Sequence, residues 1–412
     1  MSTCVLAARG GDVEALQYAR RLGCKWSERA CATAAREEHL EVIQWSRAHG
    51  CPWDALTCAW AARGGHLRVL RWCRANGCPW DEMTCVGAAA GGHLEVLQWC
   101  RANGCPWGSL TFAAAAGTGK LHVLQWCKAN GCPWITSGEP GWDAPYRTNP
   151  RPFEFVSWLS YFTRSQLRLG GATICTAAAH EGHLEAVQWC RANGCRWDEM
   201  TCAAAASRGH LEVLQWCRGN GCPWDSSTCT SAATGGHLAL LIWCRTRGCP
   251  WDEATCEGAA RHGHLEVLQW CRANGCRWDE QTWKSAVRNG HLRILRWCKV
   301  SGCPTPRENG FIMCKSLGVL RWLHANNLMK VDDMDMGGYA FFLMGNLEVL
   351  QWLRAEGCPW TEMLSTDAAT YGHLEVLKWC TANGCPWDAR ICAFEAVSCQ
   401  QLHVIRWLEA RR

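Results

Sequence analysis

The sequence predicts an all-α stack of short helix pairs. Three observations carry that prediction: a 27-residue repeat, a Gly that breaks each unit in two, and apolar faces too wide for a lone pair of helices to cover. A Trp marks the repeat at Trp45, Trp72, Trp99 and Trp126, and again at Trp189, Trp216, Trp243, Trp270 and Trp297, at 27-residue steps within each run. Trp322, Trp352, Trp379 and Trp407 continue it less evenly, and Tyr18 holds the place in the first unit.

The unit from Asp81 to Asn103 shows the two helices. Asp81 ahead of Glu82-Met83-Thr84 reads as an N-cap, its carboxylate accepting otherwise orphaned N–H bonds at the start of helix A. Cys85 to Ala90 is small and Ala-rich, which favours a helix that packs closely. Gly91-Gly92 ends it by permitting positive φ. His93 to Ala102 is helix B, stopped by Asn103-Gly104 and by Pro106. Leu94, Val96, Leu97, Trp99 and Cys100 cover an arc of roughly 220° at 100° per residue, so helix B must be covered by its own helix A and by the next unit. On helix A, Cys85, Ala88 and Ala89 are expected to pack, while Val86, Gly87 and Ala90 form a free inner face.

Composition bounds the rest. The formal charge of +5 comes from 42 basic and 37 acidic residues, a balance that argues against a strong nucleic-acid or membrane field. No run approaches the ~18–20 apolar residues of a membrane span. The opening MSTCVLAARGGDVEALQYA has no basic-then-apolar export signature, so an intracellular and most simply cytoplasmic location is expected. The 32 Cys would suggest disulfides in a short secreted chain, but a chain of this length and character calls for another explanation.

The run from Gly92 to Trp107, GHLEVLQWCRANGCPW, resembles the second half of an ankyrin repeat, GHLEVVKLLLEAGADVN, residue by residue and without a gap. Trp99 and Cys100 fall on that family's core leucines, and Ala88-Ala89 matches its Ala-Ala. The resemblance extends over about 14–15 units and implies an ankyrin-like helix-pair solenoid. Such repeats run to about 33 residues. Six are missing here, where the family has its β-hairpin finger, so fingers are expected to be shortened or absent. The Trp- and Cys-rich short form is similar to repeats of large DNA viruses and of algae or oomycetes, which would make a host cytoplasm the setting if the source is viral.

Side chains recur in columns. Three Cys columns lie on helix A (as Cys85), after the helix B Trp (as Cys100) and after the loop Gly (as Cys105). No CxxC occurs, and buried Cys behaves as a small hydrophobe, so packing is the expected role. A His column (as His66, His93 and His264) is assigned to capping, because nine equivalent sites do not suit one catalytic group. Both Trp columns, on helix B and in the loop, are assigned to the core, where loss of Trp216 would cost ~3–5 kcal/mol. Arg after Trp-Cys, Glu two after His, and the capping Asp form ladders of mixed sign.

The pattern breaks twice. From Trp126 to Trp189 is 63 residues, read as two periods plus nine. Four prolines at 140, 145, 150 and 152 exclude a normal helix A, while Phe153 to Leu159 still resembles a helix B. This gives three regions: an N-terminal repeat block at 1–134, a Pro-rich loop and degenerate repeat at 135–172, and a C-terminal block at 173–412 that is irregular at 303–345.

The functional expectation is a non-catalytic, monomeric scaffold or adaptor that binds other proteins through the inner A-helix face, with no cofactor. Residues there that differ between units of near-identical core are Arg9, Arg36, Trp60, Arg63, His180, Glu257, Arg261, Lys284 and Arg288. Two alternatives remain: a metal- or redox-responsive Cys array, and weak nucleic-acid binding along the Arg and Trp columns.

Overall fold

A computed structural model describes residues 3–133, 174–306, 314, 316–329, 346–360 and 362–410. Among them are 26 helices and no strand, so the chain is all-α as its periodicity predicts. The Pro-rich stretch, the helix B-like segment at 153–159 and much of 303–345 lie outside the described residues. Helix Leu317–Ala325 is the described helix of the second irregular zone.

Each pair is built as its sequence dictates. In the Asp81 unit the Asp81 carboxylate accepts from Met83 N–H at 3.0 Å and starts helix Glu82–Gly91. Gly92 ends it at φ +80°, and the His93 amide donates back to the Ala88 carbonyl at 2.9 Å. Helix Leu94–Ala102 follows after this single turn. Asn103 Nδ2 then donates to the Trp99 carbonyl at 2.8 Å and Cys105 N–H to Cys100 O at 2.9 Å, which satisfies carbonyls the helix end leaves over.

The A helices form the tightly stacked layer. Thr3–Arg9, Glu28–Arg36, Ala55–Gly64, Glu82–Gly91 and Ser109–Gly117 each pack on the next, whereas successive B helices touch only sparsely. Small side chains make this possible. A Cβ on Gly87 would stand 2.4 Å from the Ala59 carbonyl oxygen of the preceding A helix. The expected free face of Val86, Gly87 and Ala90 is therefore corrected: Val86 is 1% exposed and Ala90 8%, because the adjacent A helices close over them.

The chain divides into two compact units, Met1–Thr228 and Cys229–Arg412. Within the first, Ser109–Gly117 packs directly on Ile174–His180, and Leu121–Ala129 on Leu184–Ala192. The Phe112 and Trp189 rings lie 6.0 Å apart. Helices on the two sides of 134–173 are thus stacked as neighbouring repeats are. The 63-residue step is one period with 36 residues in excess, and not two periods plus nine. Spacing alone could not separate a decayed repeat from an addition between two intact ones.

Candidate interaction surface

The repeated side chains hold each unit together or join it to the next, and the structure shows which does which. The His column does not cap its own helix: His66 and His93 make no side-chain bond at the helix they precede. His66 Nε2–H instead donates 2.9 Å to the carbonyl of Arg36, the last residue of the preceding A helix. His39 to Arg9 O (3.2 Å), His264 to Thr234 O (3.1 Å) and His291 to Arg261 O (3.0 Å) repeat the bond. A carbonyl can only accept, so the proton sits on Nε2. The turn Gly has a second reason to be Gly, since a Cβ on Gly65 would meet the His93 ring at 2.5 Å.

Of the units that lack this His, two show compensation. Lys120 and Gln401 take its place, and the residue two further on becomes His122 or His403. His122 Nε2–H donates to Gly92 O at 2.9 Å and His403 to Gly372 O at 2.7 Å. That exchange is visible in the sequence, as K-L-H and Q-L-H where H-L-E is usual. It was the available signal that the column binds across the unit boundary.

The Trp columns require a correction: among the described residues most of them form a partly exposed seam and not the core, while Trp352 is buried. Trp80 and Trp99 are both partly exposed and meet edge to face with centroids 5.8 Å apart. Trp107–Trp126 at 5.5 Å, Trp197–Trp216 at 5.7 Å and Trp278–Trp297 at 5.4 Å repeat the pair. Arg74 lies 4.2 Å over the Trp80 ring, and its guanidinium donates to the Cys78 carbonyl. One Arg thereby ties a helix B end to the loop Trp. Each such Trp pair bridges the boundary between one unit's loop and the next unit's helix B. A helix A side chain takes the deepest place: Trp283 is fully buried.

The Cys columns converge within each unit. Cys85 has Cys100 and Cys105 as thiol neighbours, and Cys175 has Cys190 and Cys195. Bonds to Cys100 and Cys105, then burial, push the Cys85 thiol far above its ordinary value. Cys105 Sγ also lies 3.4 Å from the carbonyl of Asp81, closing the helix pair on its own cap. All 32 Cys are unpaired by disulfides; only Cys399 is exposed and only Cys24 partly so. Among the described residues no group of three or more His, Cys, Asp or Glu is arranged to hold a metal ion.

The expected recognition residues sit on helix A, and their surroundings differ. Arg9, Arg36, Arg261 and Arg288 are exposed, and Trp60, Arg63, Glu257 and Lys284 partly so. Arg36 stands 4.8 Å and Arg63 5.6 Å from the Trp60 ring. Burial, then the charge of Arg36, holds the Arg63 guanidinium below its usual pKa. In the second unit Arg261 pairs with Glu257, and Lys284 pairs with Glu280 at 2.6 Å. Ser285 Oγ–H donates to Glu257 at 3.0 Å. His180 is 8% exposed, with Nδ1 2.8 Å from the Glu181 carboxylate and Nε2 accepting from Arg208 at 3.3 Å. It therefore sits in a polar network and offers little open surface.

Residues 175–216 match the family described as ankyrin repeats (many copies). That segment spans the GHLEAVQW and GHLEVLQW runs and two successive helix pairs. No curated protein matches it. Among solved structures it is similar to the human ASB11 ankyrin repeat domain, at 16% identity and a TM-score of 0.34 over 47% of this chain and 84% of that one. It is also similar to the pentatricopeptide repeat protein PPR10 in complex with an 18-nt psaJ RNA element, at 14% identity and a TM-score of 0.27 over 99% of this chain and 79% of that one. Overlaps this loose bear on neither function nor partners. Among the described residues, no helix is long and apolar enough to cross a membrane.

Proposed function

We propose that the chain is a non-catalytic scaffold that binds other proteins through the A-helix face of its repeats. The observation that supports this most is the division of labour between columns. His and Trp contact neighbouring units, while Cys and the helix B Arg hold their own unit together, so all are spent on cohesion. The last-turn helix A position varies through Arg63, Ala90, Ser207 and Arg261 while the capping Asp and the following His scarcely change. A cohesive stack that varies chiefly on one strip has the construction of a recognition surface. Ankyrin repeats are in general protein-interaction modules, which agrees with this reading. We also propose that the short Trp- and Cys-rich unit is a finger-less form, with recognition moved from the absent hairpins to the helices. Placement in the cytoplasm and a monomeric state belong to the same proposal.

Proximity labelling in native cells with the full chain tests it. Proteins labelled by the wild type should be lost when Arg36, Trp60 and Arg63 are replaced by Ala. They should be retained when the exposed helix B residues Glu95 and Gln98 are replaced. Loss with the helix B variant alone would refute the assignment.

A further inference from the structure

We propose that the A-helix face of the first three repeats is a docking groove for an extended, acidic protein segment. This rests on the reading of that face as the partner-binding one. Arg9, Arg36 and Arg63 lie in the last turns of the first three A helices at 27-residue intervals. Leu6, Thr33 and Trp60 stand one turn before them in the same helices, and Leu6 is 54% exposed. The strip is therefore a line of guanidinium groups beside a line of largely apolar side chains.

Charge on this strip is not balanced from within. Among the described residues the one ion pair made by these arginines is Arg36 with Glu37, at 3.7 Å. Glu38 faces His66 at 3.3 Å. Arg36 and Arg63 crowd one Trp60 ring, like charges held together at a partly buried place. The second unit contrasts with this, since Arg261 and Lys284 each have a carboxylate partner on their own helix. The strip ends at the fourth repeat, where Gly87 and Ala90 occupy the two positions and are covered.

Spacing favours a protein segment over a nucleic acid. Packed helices lie about 8–10 Å apart, and an extended chain advances about 3.3 Å per residue. Carboxylates at every third residue would meet successive arginines, so three repeats would hold about nine residues. A nucleic-acid strand in a duplex carries a phosphate every ~3.4 Å, most of which would find no cation here. Trp60 already has two guanidinium groups over its ring, from Arg36 of the preceding helix and Arg63 of its own, and is poorly placed to receive a base.

Fluorescence anisotropy with the full chain tests this. The probes are a labelled nine-residue peptide with Glu at every third position and apolar residues between, its Gln analogue, and a labelled uridine nonamer. The acidic peptide should bind, and should bind more weakly as salt rises. The Gln analogue should bind at least tenfold more weakly. So should the acidic peptide to Arg36→Ala/Arg63→Ala, with helicity unchanged by circular dichroism. Arg36→Lys/Arg63→Lys should keep most of the binding, and so should Arg68→Ala on helix B; these two hold the test if the Ala variant loses helicity. Equal binding of the two peptides would overturn the proposal, as would tighter binding of the uridine nonamer or strong loss with Arg68→Ala. If labelling in cells still depends on Arg36, Trp60 and Arg63 while the acidic peptide fails to bind, the face stands and its chemistry is wrong. If the peptide binds as expected but labelling is indifferent to these residues, the scaffold reading fails instead.

Discussion

Replacing Gly87 by Ala separates tertiary packing from helix propensity, because the two act with opposite sign. Gly87 lies inside helix Glu82–Gly91, where Ala in place of Gly gains about 0.8–1.0 kcal/mol in an isolated helix. In the stack the new Cβ would stand 2.4 Å from Ala59 O and 3.3 Å from Arg63 N. Both atoms are backbone, so neither can rotate away, and the two A helices must separate by several tenths of an ångström. Overpacking of this kind costs about 1–3 kcal/mol. Set against the propensity gain, the expected outcome is a net loss of up to about 2 kcal/mol. Gly219 is the control: it closes helix Leu211–Gly219, and a Cβ there meets nothing within 4 Å. Gly219→Ala should be neutral or stabilise by up to about 1 kcal/mol. Urea denaturation of the full chain, followed by circular dichroism, compares them: the midpoint should fall for Gly87→Ala and hold or rise for Gly219→Ala. Faster amide exchange in helices Ala55–Gly64 and Glu82–Gly91 should accompany the first change. A midpoint that rises equally in both variants would show that the A helices are not in backbone contact, and would refute the close-packed layer.

Four further outcomes follow from the same structure. Trp216→Ala should cost about 2–3 kcal/mol, because Trp216 is partly exposed and gives up its edge contact with Trp197; a loss near 5 would place it in the core after all. Thr84 has a fully buried hydroxyl with no partner, so Thr84→Val should be neutral or slightly stabilising, and a loss above about 1 kcal/mol would mean the hydroxyl is bonded. Burial holds His93, His183, His264 and His373 below the ordinary 6.5, so the unfolded chain protonates first. Their contribution is full above that value and is lost as pH falls below it; the melting temperature should drop between pH 7 and 5, and a rise would contradict the assignment. A thiol reagent should modify Cys399 quickly, Cys24 more slowly, and the remaining Cys only on unfolding; fast modification of many thiols in the native state would refute their burial.

Much of the fold can be read in the sequence, and the physical reason is redundancy. A capping Asp, a Gly at positive φ and an Asn-Gly stop each act locally, and they recur at one period, so local rules suffice to mark both helices. What depends on the neighbouring unit could not be read from one unit. Trp99 on a core leucine position is a sound alignment, yet its ring lies at the seam with Trp80. His93 looks like a cap because it precedes helix B, and only the stack shows its ring against Gly65 of the unit before. Cys85, Cys100 and Cys105 are 15 and 5 residues apart, spacings that suggest no shared site until the helix pair folds them together. For the proposed surface the sequence offers a last-turn position that is Arg at 9, 36 and 63 and changes to Ala90 and Ser207 further on. Which of its members are neutralised, as Arg261 is by Glu257, required the side-chain geometry.

Hydrogen exchange on the full chain, with and without a saturating amount of the first partner recovered by proximity labelling, tests the scaffold reading most directly. Protection should appear in the last turns of the A helices, centred on Arg9, Arg36 and Arg63, with helix B amides around Glu95 and Gln98 unchanged. Protection confined to the B helices and the Trp loops, with the A helices unaltered, would contradict it.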